Sequence, residues 1–278
     1  MKSSWDLDPT TVSRYPEMAA FDRAEINHRD RRDPGRLHYM DRIGGVLRLV
    51  KRLHPDPGGV RVGEFGSAQG NTSLLLAEDG YRAWAIDLDA DRLQYSRAKY
   101  ERGEVEWVCS DFESLPVPEG FFDVAIVGEV IGLCAYPEQI LATVARFVRP
   151  AGHVIVTTPN GSRIALKYPP MAEVLAGDRK QLEPRQFRGE YLFKVPPSAW
   201  PSLTPAGCEL LESGYFGSTI LLNRFTAWTL RPLSDGVVQA FLGAVSRTPV
   251  LNRFTSKTIY AVFRKKATGT SAGRIEQV

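Results

Sequence analysis

The stretch 60-VRVGEFGSAQGN-71 decides how the rest of the chain is interpreted. A short apolar run ends at Glu64, and glycines follow at Gly66 and Gly70 with Ala68 between them. The run has the length of a buried strand, and the glycines predict a tight turn into a helix. In an open parallel sheet, ligands bind where such turns leave the strands. The stretch therefore predicts either a ligand-binding turn or a plain connection between a strand and a helix.

The residues of this turn argue against a dinucleotide and against a nucleoside triphosphate. A dinucleotide fingerprint requires G-x-G-x-x-G, and here Ala68 stands between the two glycines. No Gly-Lys-Ser/Thr follows, which excludes a P-loop. Glu64 lies close to where a pyrophosphate would sit, and an uncompensated carboxylate disfavours a second anion. The acid instead favours a cationic ligand such as an ammonium or a sulfonium.

Strand and helix patterns alternate after this turn. Short apolar runs recur at residues 82–87, 105–109, 122–127 and 153–158, and helical patterns separate them at 71–80, 89–103 and 137–148. Short strands that alternate with helices are typical of a parallel sheet covered on both faces. The chain is therefore predicted to be an α/β protein with a doubly wound, Rossmann-like, mostly parallel sheet.

The regular alternation of strand and helix patterns is absent at both ends of the chain and stops after the fifth predicted strand. Residues 1–35 are expected to form a partly ordered N-terminal arm, and residues 36–264 one domain that begins with a helical segment. Residues 161–200, which hold prolines, charges and aromatics, are expected to be a substrate-side insertion with short helices. The Gly/Ser/Thr-rich tail 265–278 is expected to be flexible. Between insertion and tail we expect a helix, a strand, a helix and a last strand, near residues 202–213, 215–222, 235–246 and 257–263.

The composition of the 278-residue chain is ordinary for a soluble globular protein, with 43% hydrophobic and 24% charged residues. The formal net charge is +3 with scattered Lys and Arg, so no nucleic-acid partner is expected. The three cysteines share neither disulfide nor metal-ligand spacing, which is typical of a reducing cytoplasm and predicts no metal site. No apolar run approaches the ~20 residues of a membrane span, and the first residues lack a hydrophobic signal core.

Two acids later in the chain favour a ligand that contains a nucleoside. Asp87 ends the second strand and could accept hydrogen bonds from both hydroxyls of a ribose. It could equally cap the next helix, as could Asp89. Asp111 follows the third strand and could accept from an exocyclic amine such as that of adenine, or only close a turn.

Read in order, these segments resemble the class I S-adenosylmethionine-dependent methyltransferases. The segments that carry the resemblance are 62-VGEFGSAQG-70, 85-AIDLD-89, 110-SDFESLP-116, 121-FFDVAIVGEVIGL-133 and 149-RPAGHVIVTTPN-160. The resemblance implies a seven-stranded sheet with an antiparallel last strand, and S-adenosylmethionine as the cofactor. The cofactor-binding residues that it implies are Glu64, Gly66, Ser67, Gly70, Asp87, Leu88, Asp111, Phe112 and Gly128. Ala68 departs from the family, which usually has glycine at this position.

A second resemblance concerns the start of the domain. The segment 33-DPGRLHYM-40 is similar to a piece of the ubiquinone-biosynthesis O-methyltransferases in which an arginine contacts the cofactor. This makes Arg36 a candidate partner for the methionine carboxylate, the alternative being a solvated arginine at a helix start. That group typically carries Glu-His after the fourth strand, where this chain has Gly132 and Leu133. A catalytic or metal role of that pair therefore does not carry over.

The implied chemistry requires an aligned acceptor and, for a hydroxyl nucleophile, a base. Candidate catalytic residues are Glu129, His38 and Tyr136, whereas His153 is interpreted as structural because it starts the fifth strand away from the cofactor. The aromatic and basic insertion suits a small-molecule acceptor that is aromatic or anionic. We expect transfer to oxygen; nitrogen or carbon of a small molecule, RNA or protein substrates, and a non-catalytic binding protein stay open, as does the oligomeric state.

Overall fold

The computed structural model describes residues 1–25, 34–163, 168–182, 191–218, 223–246 and 249–267. Its strands form a seven-stranded sheet in the order β3-β2-β1-β4-β5-β7-β6. The strands are β1 (Arg61–Phe65), β2 (Arg82–Asp87), β3 (Glu104–Cys109), β4 (Phe122–Gly128), β5 (Val148–Pro159), β6 (Cys208–Ser218) and β7 (Ser256–Lys265). The first five strands pair in parallel, and β7 runs antiparallel to both β5 and β6. The predicted fold class is confirmed.

The order of the strands places the ligand crevice. The chain builds β1, β2 and β3 outward in one direction and then returns to β4, which pairs with the other edge of β1. The strand order therefore reverses between β1 and β4, and the crevice of a doubly wound sheet lies at the carboxyl ends of the strands at that point. The glycine turn quoted above leaves β1 there.

Helices cover both faces of the sheet. They are α1 (Pro9–Arg14), α2 (Pro16–Glu25), α3 (Pro34–Leu53), α4 (Asn71–Glu78), α5 (Ala90–Lys99), α6 (Pro137–Phe147), α7 (Met171–Leu175), α8 (Trp200–Leu203), α9 (Arg224–Leu230), α10 (Asp235–Ser246) and α11 (Pro249–Thr255). One core joins Leu141 of α6 and Trp200 of α8 to the sheet, and Val50 of α3 belongs to the core on the other face. Within the described residues, no helix has both the length and the apolar character that a membrane crossing requires.

Two adjacent glycines in the middle of α3 have a packing role. The sequence suggests that Gly44 and Gly45 weaken this helix. A Cβ on Gly45 would overlap the ring of Phe216 in β6, and that ring stacks on Tyr260 of β7 with centroids 4.6 Å apart. The missing side chain therefore lets α3 approach the far edge of the sheet closely, which offsets the lower helix propensity of glycine.

The N-terminal arm is tied to the domain by a buried polar network. The Lys99 ammonium lies 3.0 Å from an oxygen of Asp22, and both side chains are fully buried. Asp22 also accepts hydrogen bonds from Asn71 at 3.0 Å and from Tyr95 at 3.1 Å. Residue 22 is on α2 and residue 71 begins α4, directly after the glycine turn. Part of the arm thus forms a structural support for the turn, while residues 26–33 lie outside the described part of the chain.

The prediction for the chain after the insertion was partly wrong. A helix was expected near residues 202–213, but α8 is a single turn and Cys208–Ser218 is strand. The register with β7 shifts between Leu210 and Glu212, so the strict alternation of a strand is broken. This bulge makes the local pattern look helical. The helix near 235–246 and the last strand are confirmed as α10 and β7.

Candidate functional site

The turn after β1 holds three residues in the left-handed backbone region. The φ angles are 78° at Gly66, 46° at Ala68 and 69° at Gly70. A Cβ on Gly66 would lie 2.5 Å from Val130, so that glycine is required by space as well as by conformation. Ala68 keeps its methyl group in a conformation that costs roughly 1–2 kcal/mol for a residue with a side chain. The chain therefore accommodates alanine at position 68, where the family usually has glycine, at the cost of local backbone strain.

The backbone amides of this turn are engaged within the protein. Gly66 and Ser67 both donate to the Ile86 carbonyl, at 2.8 and 2.9 Å. Ala68 donates to Asp87 Oδ2 at 2.8 Å, and the Gly70 amide donates to the Ser67 carbonyl at 2.7 Å. A phosphate-binding turn needs amides that point at the ligand. The geometry agrees with the sequence argument against a pyrophosphate.

Glu64 lines a cavity of about 140 Å³ at the end of β1, here called the Glu64 cavity. Its Oε2 accepts from the Ser73 amide at 2.9 Å and from the Ser73 hydroxyl at 2.5 Å. Burial raises the pKa of the Glu64 carboxyl, against the lowering effect of these bonds. A cationic ligand would compensate the buried charge. Ser67 lines the same cavity, and its buried hydroxyl makes no hydrogen bond to the described residues.

Glu129 closes the Glu64 cavity at the end of β4. Its backbone is left-handed, with φ 61°, and its amide donates to the Thr157 carbonyl at 2.9 Å. The Tyr191 hydroxyl donates to Glu129 Oε2 at 2.9 Å. The other oxygen, Oε1, is buried and has no partner among the described residues. A non-glycine residue with positive φ beside a cavity is the kind of strained position that functional sites retain.

Gly132 leaves the space that Tyr191 occupies when it donates to Glu129. A Cβ on Gly132 would come 3.0 Å from Tyr191 Cδ1, and the Leu192 amide donates to the Gly132 carbonyl at 2.8 Å. The glycine that replaces the family's Glu therefore makes room for an aromatic residue of the insertion. This contact joins the segment after β4 to the insertion.

Asp87 lines a second cavity of about 450 Å³, here called the Asp87 cavity. Its Oδ2 accepts from Ala68 and its Oδ1 accepts from the Asp89 amide at 3.0 Å. Each carboxylate oxygen has a second lone pair, so the group can still accept from two hydroxyls. Asp89 caps α5 by accepting from the amides of Asp91 and Arg92. Asp89 therefore has the capping role, and the ribose contact of Asp87 stays a prediction.

The Asp87 cavity has apolar and polar walls suited to a nucleoside. Leu88 exposes 62% of its surface there, and Phe112 packs edge-on against Phe65 with centroids 5.2 Å apart. Asp111 is exposed and accepts from the Ser114 amide at 2.6 Å, which lowers the pKa of its carboxyl. Among the described residues, Gly66 alone lines both this cavity and the Glu64 cavity. The two spaces meet at that residue.

The predicted catalytic residues lie in different places. Glu129 lines the Glu64 cavity together with Gly128, and Tyr136 lines the Asp87 cavity. His38 lines a third cavity of about 210 Å³. Arg36 is buried, and its Nη2 lies 2.7 Å from Asp235 of α10. Arg36 lines none of these three cavities, and its contact with the methionine carboxylate stays a prediction.

Sequence reasoning missed several residues of the Glu64 cavity. They include Phe21 of α2, Arg42 of α3 and Thr157 of β5. Arg42 follows His38 by one helical turn and therefore shares its face, a signal that was present in the sequence. Phe21 is placed by long-range packing of the arm, which local patterns do not reveal. No three His, Cys, Asp or Glu side chains converge on a metal site in the part of the chain that the structure describes.

The residues fit S-adenosylmethionine better than a dinucleotide. Glu64 offers a buried acid for the ammonium, and Ser67 an unpartnered hydroxyl beside it. Asp87 offers acceptors for a ribose, and Leu88 and Phe112 a wall for the base. The two connected cavities match a ligand with a polar charged end and a nucleoside end.

Comparison with known proteins gives the same assignment. The family model described as "Methyltransferase domain" matches residues 63–156. Ubiquinone biosynthesis O-methyltransferase of Cupriavidus pinatubonensis is 28% identical over 213 residues, which cover 74% of this chain and 80% of that protein. Biotin biosynthesis bifunctional protein BioHC of Cellvibrio japonicus is 30% identical over 133 residues, or 46% of this chain and 26% of that protein. The chain spans 26–50% of the length of three of the curated relatives that it matches.

The solved structures support the fold. An S-adenosylmethionine-dependent methyltransferase from Mesorhizobium loti superposes with a TM-score of 0.54 at 17% identity, covering 80% of this chain and 99% of that one. At such identity the likeness concerns the fold alone. Residues 63–156 of this chain form a methyltransferase domain with the Rossmann-like fold of the S-adenosylmethionine-dependent methyltransferases, and the cofactor that this domain indicates is S-adenosylmethionine.

Proposed function

We propose that this protein transfers a methyl group from S-adenosylmethionine to a hydroxyl oxygen of a small-molecule acceptor. The observation that carries the proposal is the pair formed by Glu129 and Tyr191 beside the Glu64 cavity. One carboxylate oxygen is fixed by the tyrosine, and the other is buried without a partner among the described residues. Such an oxygen is suited to receive the proton of a hydroxyl nucleophile.

The cofactor supplies a methyl group that is already activated, because its sulfonium leaves as a neutral thioether. The chain's own residues then have two tasks, to hold the cofactor and to align the acceptor. Glu64, Ser67 and Gly128 are proposed to surround the methionine end, and Asp87 to hold the ribose. Leu88, Asp111 and Phe112 are proposed to border the adenine.

Glu129 is the proposed general base. Its left-handed backbone and its bond from Tyr191 hold the carboxylate in one orientation beside the cavity that Glu129 lines. A base held in place loses little entropy when the acceptor arrives. Tyr136 and His38 line other cavities and are therefore proposed for binding rather than for proton transfer.

A small acceptor is favoured by the walls of the Glu64 cavity. Phe21 from the arm and Tyr191 from the insertion both line it, so segments outside the core sheet narrow its entrance. Relatives of this chain are named both as O-methyltransferases and as a C-methyltransferase. The name of a relative therefore does not decide the methylated atom, and the oxygen assignment depends on Glu129.

Calorimetry on the full chain tests the cofactor site. We expect S-adenosylmethionine to bind with a Kd on the order of micromolar. Asp87→Ala should weaken binding by about tenfold or more, because a hydrogen bond to a charged group contributes ~1.5–3 kcal/mol. Asp91→Ala removes an exposed acid from the same segment and serves as the matched control. No binding by the wild type, or a preference for a nicotinamide dinucleotide, contradicts the proposal.

The methylated atom is read out directly. A library of phenols, amines and activated methylene compounds is incubated with the protein and cofactor that carries a carbon-13 methyl group. The chemical shift of the transferred methyl separates oxygen, nitrogen and carbon products. Products methylated only on nitrogen or carbon would overturn the oxygen assignment while leaving the cofactor site intact.

A further inference from the structure

A third cavity adjoins the Glu64 cavity. It has a volume of about 210 Å³ and is lined by His38 and Arg42 of α3, Gly217 of β6, and Lys257 and Thr258 of β7. Because β7 runs antiparallel to β5, its first residues lie at the same sheet edge as the carboxyl ends of β1 and β4. Arg42 lines both this cavity and the Glu64 cavity, so the two spaces are neighbours. We call it the Lys257 cavity.

Positive charge is concentrated around the Lys257 cavity. Arg42 and Lys257 line it, and Arg163 lies close enough to Lys257 to influence its ionisation. Partial burial and the positive charges of Arg163 and Arg42 lower the pKa of the Lys257 ammonium. Like charges held together at a protein surface repel, and an anion placed between them relieves that repulsion.

Two acids near this cavity, Asp41 and Glu129, contact other groups in the described part of the chain. Asp41, on the same helix, is almost fully buried, accepts from the Gly217 amide at 2.5 Å and lies 3.6 Å from the Arg48 guanidinium. Glu129 lines the Glu64 cavity and accepts from Tyr191. The charge of Arg42 also acts on Tyr191, and Arg42 lines both the Glu64 cavity and the Lys257 cavity.

We propose that the Lys257 cavity binds an oxyanion of the methyl acceptor, a carboxylate or a phosphate, through Arg42 and Lys257. This inference rests on the proposed function, since it specifies the acceptor as an acidic small molecule. The planar guanidinium of Arg42 suits the two oxygens of such a group, and Lys257 adds a point charge. With its anion held there, the rest of the acceptor extends past Arg42 toward Glu129.

Binding of benzoate and of neutral benzamide to the full chain, saturated with S-adenosylhomocysteine, tests the proposal by calorimetry. Benzoate is expected to bind about tenfold or more tightly than benzamide, and added salt should reduce this difference. Lys257→Gln and Arg42→Gln should each remove most of the preference. Lys51→Gln serves as the matched control, because it removes an exposed cation from the same helix. Circular dichroism and cofactor affinity verify that each variant is folded.

Phenyl phosphate in the same assay separates the two oxyanions: tighter binding than benzoate assigns a phosphate, and weaker binding a carboxylate. Equal affinity of the wild type for benzoate and benzamide would overturn the proposal. So would a Lys257→Gln variant that keeps the full preference. Failure of the wild type to bind S-adenosylhomocysteine would instead overturn the proposed function, so the two failures are distinguishable.

Discussion

The Tyr191 hydroxyl donates to Glu129 Oε2 at 2.9 Å, and this bond joins the insertion to the end of β4. Burial and the negative charge of Glu129 raise the pKa of the Tyr191 phenol, so the tyrosine stays a donor at every physiological pH. The insertion therefore contributes to the site a fixed hydrogen bond as well as a wall.

Removal of this bond should affect turnover and leave cofactor binding unchanged. Tyr191→Phe keeps the ring and loses the donor, and Glu129→Gln keeps the shape and loses the base. We expect kcat to fall by about 10²–10⁴-fold in Glu129→Gln, the usual contribution of a general base. A smaller loss is expected in Tyr191→Phe, which acts through Glu129. Single-turnover rates with calorimetric cofactor affinities measure both effects.

Tyr168→Phe is the control for this pair, because Tyr168 packs edge-on against Tyr191 with centroids 5.3 Å apart. It should change turnover far less than Tyr191→Phe. Unchanged turnover in Glu129→Gln would remove Glu129 from the mechanism.

Ala68→Gly should stabilise the protein. The left-handed backbone at residue 68 costs an alanine roughly 1–2 kcal/mol, whereas glycine adopts it freely. Glycine also adds about 0.4–1 kcal/mol of unfolded-state entropy, so the net gain in unfolding free energy is expected to be about 0.5–1 kcal/mol. Urea denaturation measures it. Ala77→Gly, inside α4, is the opposite control and should destabilise. A loss of stability in Ala68→Gly would mean that its methyl group makes favourable contacts.

Removing one partner of the buried ion pair between Asp22 and Lys99 should lower the free energy of unfolding strongly. Replacing both partners should lower it less than the two single changes together. Lys99→Met leaves a buried carboxylate, and Asp22→Asn leaves a buried ammonium; each should cost about 3–5 kcal/mol. The double variant Asp22→Asn/Lys99→Met should cost less than the sum, because no charge is then left without its partner. Urea titrations of the four proteins give the coupling energy. Strictly additive losses would show that the two charges do not interact.

The pair of His54 and His153 should make stability depend on pH. Their ring nitrogens lie 3.2 Å apart, and burial with nearby positive charge lowers the pKa of His153 to about 4. An unfolded histidine titrates near ~6.5, so the unfolded chain binds more protons between these values. This contribution to stability is present above about pH 6.5 and is lost as the pH falls toward 4. We expect a loss of about 1–2 kcal/mol after allowing for partial exposure.

Comparison of the wild type with His153→Gln isolates the contribution of His153 to the pH dependence of stability. It is needed because other groups change the stability in the opposite direction as the pH falls. Burial raises the pKa of Asp41 to about 6, which favours the folded state as the pH falls. The difference between the wild-type and variant unfolding free energies, measured at pH 7.5 and at pH 5, should therefore shrink at the lower pH. A constant difference would show that His153 titrates normally.

The sequence predicted the central sheet and the positions of Glu64 and Asp87 because their signals are local. Glu64 and Asp87 each end a short apolar run, and such positions meet at one sheet edge in any doubly wound fold. Asp89 was also recognisable as a cap from its place before a helical pattern. By contrast, the strand at Cys208–Ser218 contains a bulge, which hides the alternation that identifies a strand.

The rest of the site depends on contacts between distant segments. Phe21, Arg42 and Tyr191 reach the Glu64 cavity from the arm, the first domain helix and the insertion. Arg36 is proposed by resemblance as a cofactor contact, and in the structure its guanidinium donates to Asp235, 199 residues later. Such pairings are set by tertiary packing, which a single sequence does not encode in local patterns. Residues 164–167 and 183–190 of the predicted insertion, which include Phe187, lie outside the described part of the chain.

The meeting of two cavities at Gly66 has a consequence for inhibitor design. Any compound that fills both cavities passes a position without a side chain, and an added Cβ there would lie 2.5 Å from Val130. Separate fragments can be optimised for each chamber, one carrying a cation for Glu64 and one carrying hydroxyls for Asp87. The linker that joins them passes Gly66, a position where a residue with a side chain does not fit.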